Sequence, residues 1–160
     1  MLSPNLQSGA GVSPDAIDFT VVPKGFTASI GDLVALDVTL SQATNATEGD
    51  RDSLWAVAVA PLDTHVKYGP VAIMLTTTTS GQKGRAKLVG KARAYVHKGS
   101  GNILKGDILA ASASGRYLEA SPSVGHRIVA RCLENVTSPS SATLADVVFD
   151  GIHGTGTYHS

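Results

Sequence analysis

The sequence predicts an all-β fold: a single small β-barrel or sandwich, built from two related β-units, with an extended N-terminal arm. The first observation behind this prediction is a pattern that occurs twice, IGDLVA at residues 30–35 and KGDILA at residues 105–110. In each copy a Gly-Asp turn leads into an apolar strand. A second apolar strand closes each unit after a stretch rich in Ser, Thr, Gly and Asp, at residues 54–60 and 127–133.

Composition is the second observation. The chain has 160 residues, of which 42% are hydrophobic, 16% charged and 5% aromatic. Typical domains carry about 25% charged residues, so the polar surface must come mostly from Ser, Thr, Asn and Gly. This balance is typical of all-β proteins with many turns, and the length suits one domain with a sizeable core.

The N-terminal segment, residues 1–17, is predicted to be an extended arm. It contains three Ser, two Pro and two Gly and shows neither helical nor strand periodicity. The β-domain is expected over residues 18–150 and a Gly/Thr/His tail over residues 151–160. Strands are predicted, in chain order, at residues 19–22, 33–40, 54–60, 71–77, 85–96, 108–112, 117–120, 128–133 and 146–149.

Breaker residues and side-chain alternation justify these elements. Pro23 ends the first strand, and the turn SGQKG at residues 80–84 precedes residues 85–96, in which apolar and charged side chains alternate. Ser114-Gly115-Arg116 predicts a tight hairpin turn. The best candidate for a helix, residues 142–148, is β-branched and too short for an independent helix.

Charge and hydropathy exclude several classes of partner. The 13 basic and 13 acidic residues cancel, which leaves no long-range attraction to nucleic acid or to an anionic membrane. Zero net charge also gives a free monomer little colloidal protection, which favours an oligomer. No apolar stretch approaches the roughly 18 residues of a membrane-spanning helix. The first residues lack the basic and apolar regions of a signal peptide, so we expect synthesis in a host cytoplasm.

Candidate catalytic groups are few. Cys132 lies within an apolar strand, where a thiol packs as a small hydrophobe, so we expect Cys132 and Trp55 to be buried on core strands. Asp32 and Asp107 occupy matched turns, which favours capping of the turn over paired acid-base catalysis. The histidines show no metal-ligand spacing: they are His65, His97, His126, His153 and His159. The sequence therefore predicts no enzyme, no cofactor and no metal site.

A basic strand face is the most concrete surface feature. Arg85, Lys87, Lys91 and Arg93 lie on one side of the strand at residues 85–96, and like charges repel unless something opposes them. Three interpretations follow, in order of preference: acidic residues on a neighbouring strand, acidic groups on a partner protein, or nucleic acid. A nucleic-acid site would need interleaved aromatic residues for base stacking, and this strand has a single tyrosine.

Three stretches of the second unit resemble a known family. They are GDILAAS at residues 106–112, RIVARCLE at residues 127–134 and ADVVF at residues 145–149, with Gly115 in the turn between the first two. This order of Gly-Asp turn, strand, glycine turn, strand ending in Leu-Glu and final strand is similar to that of tailed-bacteriophage head decoration proteins, also called cement proteins. The resemblance spans residues 26–150.

The resemblance implies a structural virion protein on the outside of the head. It implies a homotrimer that contacts the major capsid protein through the N-terminal arm, bridges capsid subunits and carries no catalytic residues. The arm residues assigned to the capsid interface are Leu2, Pro4, Leu6, Val12 and Ile17, and the basic face is assigned to a secondary interface. Neither nucleic acid nor membrane is an expected partner.

Two alternatives stay open. A related pattern occurs in β-domains of phage tail fibres, so a tail-associated role is the first. The second is a carbohydrate-binding module, which would need exposed aromatic platforms that one Trp in a core-like strand does not supply. The polar loop at residues 41–53 and the Gly/His tail depart from the family pattern and leave the contacts open.

Overall fold

The computed structural model describes residues 17–36, 55–59, 70–122, 124–152 and 156–157. These residues form strands, turns and bends without any helix, so the all-β prediction is confirmed. In these same residues no helix long and apolar enough to cross a membrane occurs.

Ten strands are formed by the described residues. They are β1 (Ile17–Pro23), β2 (Leu33–Leu36), β3 (Trp55–Val59), β4 (Val71–Met74), β5 (Gly84–His97), β6 (Ile108–Ala111), β7 (Leu118–Glu119), β8 (Arg127–Cys132), β9 (Thr143–Asp150) and β10 (Gly156–Thr157).

The first five strands close into a barrel. Hydrogen-bonded neighbours run β1-β3-β2-β4-β5, and β5 pairs back to β1. The β1–β3 pair is parallel and the other pairs are antiparallel. Closure gives every strand of this ring two neighbours, which removes the free edges of an open sheet.

A second ring repeats the first and shares β5 with it. Its neighbours run β5-β7-β6-β8-β9, and β9 pairs back to β5. The β5–β7 pair is parallel and the others are antiparallel, so β5, β6, β7, β8 and β9 take the places of β1, β2, β3, β4 and β5. The prediction of two related β-units is confirmed, and each unit is itself a closed five-stranded barrel.

The correspondence between the units differs from the predicted one at the closing strands. We expected residues 54–60 to match residues 127–133. In the structure β3 corresponds to β7, and β8 corresponds to β4. The physical reason is that β7 has only two residues, too few to leave an apolar run in the sequence, so the next strand along the chain was matched instead.

The two barrels pack through the walls of β2 and β4, which are buried along their whole length. One set of side chains packs inside the first barrel, with Val34, Leu36, Ala72 and Met74 among its members. The alternate side chains belong to the core cluster of the second barrel: Leu33, Ala35, Val71 and Ile73. Burial on both faces explains why these strands read as continuous apolar runs.

Four further details differ from the sequence predictions. The last strand, β9, begins at Thr143 and not at residue 146, and it includes most of the stretch 142–148 that was the best candidate for a helix. The β-branched side chains there favour a strand that β5 and β8 pair on both sides. The turn from β6 to β7 takes residues 112–117 rather than a tight hairpin. Two residues of the expected tail form β10 against β8. Ile17, the last residue of the predicted arm, is the first of β1.

Candidate functional site

The basic face of β5 is opposed by aspartates on the neighbouring strands. Asp18 on β1 lies 3.3 Å from Arg85 Nη2 and 3.5 Å from Lys87 Nζ. We call these three residues the first cation cluster. The structure therefore favours the interpretation that acidic residues on adjacent strands oppose the basic ones.

A second group repeats this arrangement further along β5. Asp146 on β9 lies 3.2 Å from Lys91 Nζ and 3.6 Å from Arg93 Nε; these residues form the second cation cluster. In each cluster two cations share one carboxylate, so each pairing leaves one positive charge uncompensated within the cluster.

Exposure separates the four cations by role. The side chains of Arg85, Lys91 and Arg93 are 64%, 67% and 63% exposed, and exposed pairs of this kind contribute little to stability. Lys87 is only 15% exposed, and its Nζ also donates to the Lys91 carbonyl at 3.1 Å. Lys87 therefore acts within the fold, whereas the other three cations are accessible to a partner.

A shallow groove lies at the junction of the two barrels beside the second cation cluster. Its lining includes Ile30, Leu75, Lys91, Arg93 and Asp146. Ile30 is 50% exposed although it is a large apolar residue. The groove thus places an accessible apolar side chain next to two accessible cations.

The two Gly-Asp turns that predicted the repeat have the same hydrogen bonds. The Ser29 N–H donates to Asp32 Oδ2 at 2.9 Å, and the Leu104 N–H donates to Asp107 Oδ2 at 2.9 Å. The prediction that these aspartates cap turns is confirmed. The carboxylates satisfy backbone donors of their own turns.

Only the first turn is covered by the other barrel. Asp32 is 6% exposed, and burial raises the pKa of its carboxyl, while the Ser29 N–H and the nearby Arg116 guanidinium act in the opposite direction. Arg116, from the β6–β7 connection, lies 3.1 Å from Asp32 Oδ2. It also donates to the Thr27 carbonyl at 2.7 Å and stacks over the Phe26 ring at 5.1 Å.

Arg116 therefore fastens the second barrel to the first, a role that sequence reasoning missed. Arg116 lies in a Ser/Gly turn, and the local sequence cannot indicate an ion pair with Asp32, which is distant in the chain. Ile30 was missed as a surface residue because it was counted within the turn pattern. The second copy of the repeat has Lys105 at the equivalent position, and a charged residue there indicates that the position is exposed.

Cys132 is 1% exposed, as expected, and burial is the main cause that raises the pKa of its thiol. Its Sγ contacts the Glu134 carbonyl at 3.1 Å. The backbone of Trp55 lies in β3, but its side chain is outside the described part of the structure. Among the described residues no three His, Cys, Asp or Glu side chains are grouped as metal ligands.

The proposed arm residues lie almost entirely outside the described residues. Leu2, Pro4, Leu6 and Val12 precede residue 17, and the loop at residues 41–53 is not described either. The backbone of Ile17 pairs with Val89 of β5 at the start of β1. The arm assignment therefore stays a prediction for residues 1–16.

Among the solved structures that match the chain is one with a related outline. It is the head fiber gp8.5 N base in bacteriophage phi29, with 11% sequence identity, a TM-score of 0.49 and coverage of 91% of this chain and 99% of that chain. A likeness at this level carries no argument about function. No protein-family model matches the sequence, and no curated protein matches it either.

Proposed function

We propose that this chain is a structural virion protein that binds the outside of a phage capsid and stabilises it by bridging capsid subunits. The observation that supports the proposal is where the segments that resemble head decoration proteins lie in the fold. Residues 106–112, 127–134 and 145–149 contain the Gly-Asp turn with β6, β8 and most of β9, which are adjacent strands of one closed barrel. The resemblance thus falls on one contiguous unit of the fold.

The architecture suits a mechanical role. Each of β1 to β9 has at least two strand neighbours among the described residues, so the main-chain hydrogen bonds of both barrels form closed rings. β5 runs through both rings and carries main-chain pairing from one barrel to the other. A protein that ties two subunits together needs such stiffness, because a soft tie would stretch instead of opposing their separation.

Attachment is assigned to two regions. The arm, with Leu2, Pro4, Leu6 and Val12, has isolated apolar groups in a segment that the sequence predicts to be extended, and such a segment can add a strand to a partner or lie in a groove on it. The exposed cations of β5 form the second region. Binding that spans two subunits stabilises the capsid by the free energy of the second contact, without any catalytic group.

Cryo-electron microscopy of purified virions from the source phage tests the proposal. We expect density that fits the double barrel on the head shell, and we expect heads that lack the protein to burst at lower temperature. Density on the tail would favour the tail-associated alternative instead. Virions without this chain, as measured by mass spectrometry of purified particles, would contradict a virion role.

A further inference from the structure

We propose that the groove at the barrel junction binds a protein segment in which a carboxylate stands beside an apolar side chain. The inference rests on the proposed function in naming where the segment is found, on a capsid subunit. The chemistry of the groove follows from its own residues: the apolar Ile30 and Leu75, and the cationic Lys91 and Arg93 of the second cation cluster.

Neither the turn nor the hydrophobic core requires an apolar residue at position 30. Ile30 and Lys105 occupy the same position in the two Gly-Asp turns. Their N–H groups donate to equivalent acceptors, Thr77 Oγ1 at 3.3 Å and Asn135 Oδ1 at 2.8 Å. The turn therefore forms equally with a charged residue at this place. An isoleucine left 50% exposed there marks a surface that another molecule can cover.

The cationic part supplies the complement to an acidic group. Lys91 and Arg93 share the single carboxylate of Asp146 and are both mostly exposed. The nearby Glu134 carboxylate accepts the Asp146 backbone N–H at 2.7 Å, on the β8 side of the strand. An incoming carboxylate can therefore bind the guanidinium of Arg93 and the ammonium of Lys91 from the open side of the groove.

The partner must offer an apolar side chain as well as a negative charge. A nucleic acid would supply the negative charge but offers Ile30 no apolar side chain.

The groove exists at one place because it needs both barrels. Ile30 and Leu75 come from the first barrel and Arg93 from the half of β5 that belongs to the second. The equivalent turn with Lys105 has no following barrel beside it. The repeat therefore provides a matched control within the same chain.

The test uses the full chain labelled with ¹⁵N and two peptides, acetyl-Asp-Leu-Asp-Leu-Asp-amide and its neutral match acetyl-Asn-Leu-Asn-Leu-Asn-amide. We expect the acidic peptide, at millimolar concentration, to shift the amide resonances of Ile30, Leu75, Lys91 and Arg93. The neutral peptide should bind at least tenfold more weakly. Equal binding of both peptides, absence of shifts, or tighter binding of a single-stranded oligonucleotide at the same amides would overturn the inference.

Two variants sharpen the result. Ile30→Ser removes the apolar side chain without adding a charge that would attract the acidic peptide. The equivalent turn forms with a polar residue at this position, so the fold should survive, and we expect peptide affinity to fall at least tenfold. Lys105→Ala is the control and should leave affinity unchanged. Wild-type affinity in Ile30→Ser, with a native spectrum, would overturn the inference.

The same variants on undecorated heads separate this inference from the proposed function. If the acidic peptide binds the groove but the wild-type protein does not bind heads, the proposed function is wrong and the inference about the chemistry of the groove is retained. If the protein binds heads, and Ile30→Ser binds them as well as the wild type, the groove inference fails alone.

Discussion

Asp32 and Asp107 cap equivalent turns, but only Asp32 also binds a residue of the other barrel. Both carboxylates accept a backbone N–H from the residue three places earlier in their turns, so the local chain has the same structure twice. The difference comes from what covers the turn. Asp32 is buried under Arg116, whereas Asp107 is more exposed, because only the first barrel has a second one packed against this side.

Replacing Arg116 by Met should reduce the free energy of unfolding by about 2 kcal/mol at pH 7, because it leaves the buried Asp32 carboxylate without its cation. The pKa of this carboxyl is already raised by burial, and loss of Arg116 raises it further. In the variant, the folded state keeps the proton on Asp32 to a higher pH than in the wild type. The loss of stability relative to the wild type therefore develops as the pH rises from the folded-state pKa of the wild type to that of the variant. Denaturant unfolding of variant and wild type across pH measures the difference.

The loss should shrink below the ordinary Asp pKa of 3.8, where the carboxyl is protonated in both the folded and unfolded states. Asp32→Asn in the Arg116→Met background is the control, and it should recover part of the stability at pH 7. A loss that is the same at pH 3.5 and pH 7 would show that Arg116 acts through its contacts with the Phe26 ring and the Thr27 carbonyl and not through the Asp32 carboxylate.

Cys132 should react slowly with iodoacetamide in native buffer and quickly in denaturant. Its side chain is buried in the core of the second barrel, and burial raises the pKa of the thiol, which lowers the thiolate fraction that reacts. Mass spectrometry of samples quenched over time gives the rate. Labelling as fast as in the unfolded chain would reopen thiol chemistry at this position.

At the scale of elements, the contact between barrels depends on the close approach of the first Gly-Asp turn to β5. The Tyr95 N–H donates to the Gly31 carbonyl at 2.9 Å. A Cβ on Gly31 would lie 2.4 Å from Leu144 Cδ2, whereas a Cβ on Gly106 would have no atom within 4 Å. Both glycines have positive φ, 89° and 95°, so they differ in packing and not in backbone conformation.

Gly31→Ala should therefore destabilise the protein more than Gly106→Ala. Each substitution places a side chain in the left-handed region, at about 1–2 kcal/mol. Gly31→Ala must also displace Leu144 Cδ2, the end of a flexible and half-buried side chain, which adds a smaller cost. Thermal unfolding of the two variants side by side measures the difference. Equal melting temperatures would mean that Leu144 moves aside without loss of contact.

The elements were largely predictable, but their pairing was not. The alternation of residues 85–96 identified β5, and apolar runs identified β2, β4 and β8, because periodicity and burial are local properties of the sequence. That β5 serves two barrels depends on which strands pair with each half of it. Such long-range pairing leaves no local trace. The short β7 was predicted as a strand at residues 117–120 but was not recognised as the counterpart of β3, and β10 was missed, because two residues define no period.

The positions of the cations on the surface were predictable, but their ion-pair partners were not. Alternation correctly placed Arg85, Lys87, Lys91 and Arg93 along β5, but their aspartate partners come from strands whose register the sequence does not state. The groove could not be predicted, because Ile30 and Arg93 are brought together only when two barrels pack. Comparing the two repeats position by position, with Lys105 against Ile30, is the signal that was available.

At the scale of the whole molecule, we expect a homotrimer. The full chain has low charge content and no net charge, which gives a monomer little protection against association, and the family it resembles is usually trimeric. Closed barrels favour association through side-chain surfaces and not through sheet edges. Sedimentation at micromolar concentration should give about three times the monomer mass of 16.4 kDa. A monomer both free and on capsids would contradict the prediction.

Deleting residues 1–16 should leave the double barrel folded and weaken its attachment to undecorated heads. The cut stops before Ile17 because β1 begins there and pairs with β5, so both rings keep all their strands and the melting transition should not change. We assign affinity for the capsid to the apolar side chains of the arm, so removing them should weaken attachment without affecting the fold. We expect a loss of at least tenfold in affinity, or about 1.4 kcal/mol, in a co-sedimentation assay with heads.

A full-length variant in which Leu2, Leu6 and Val12 are all replaced by Ser provides the matched control for the deletion. It keeps the length and the prolines of the arm and removes its apolar groups, so it should bind as weakly as the deletion if those side chains make the contact. If both variants bind heads as tightly as the wild type, the arm is not the attachment site. Attachment must then come from the barrel surface, and charge reversal at Arg85, Lys91 and Arg93 is the next measurement.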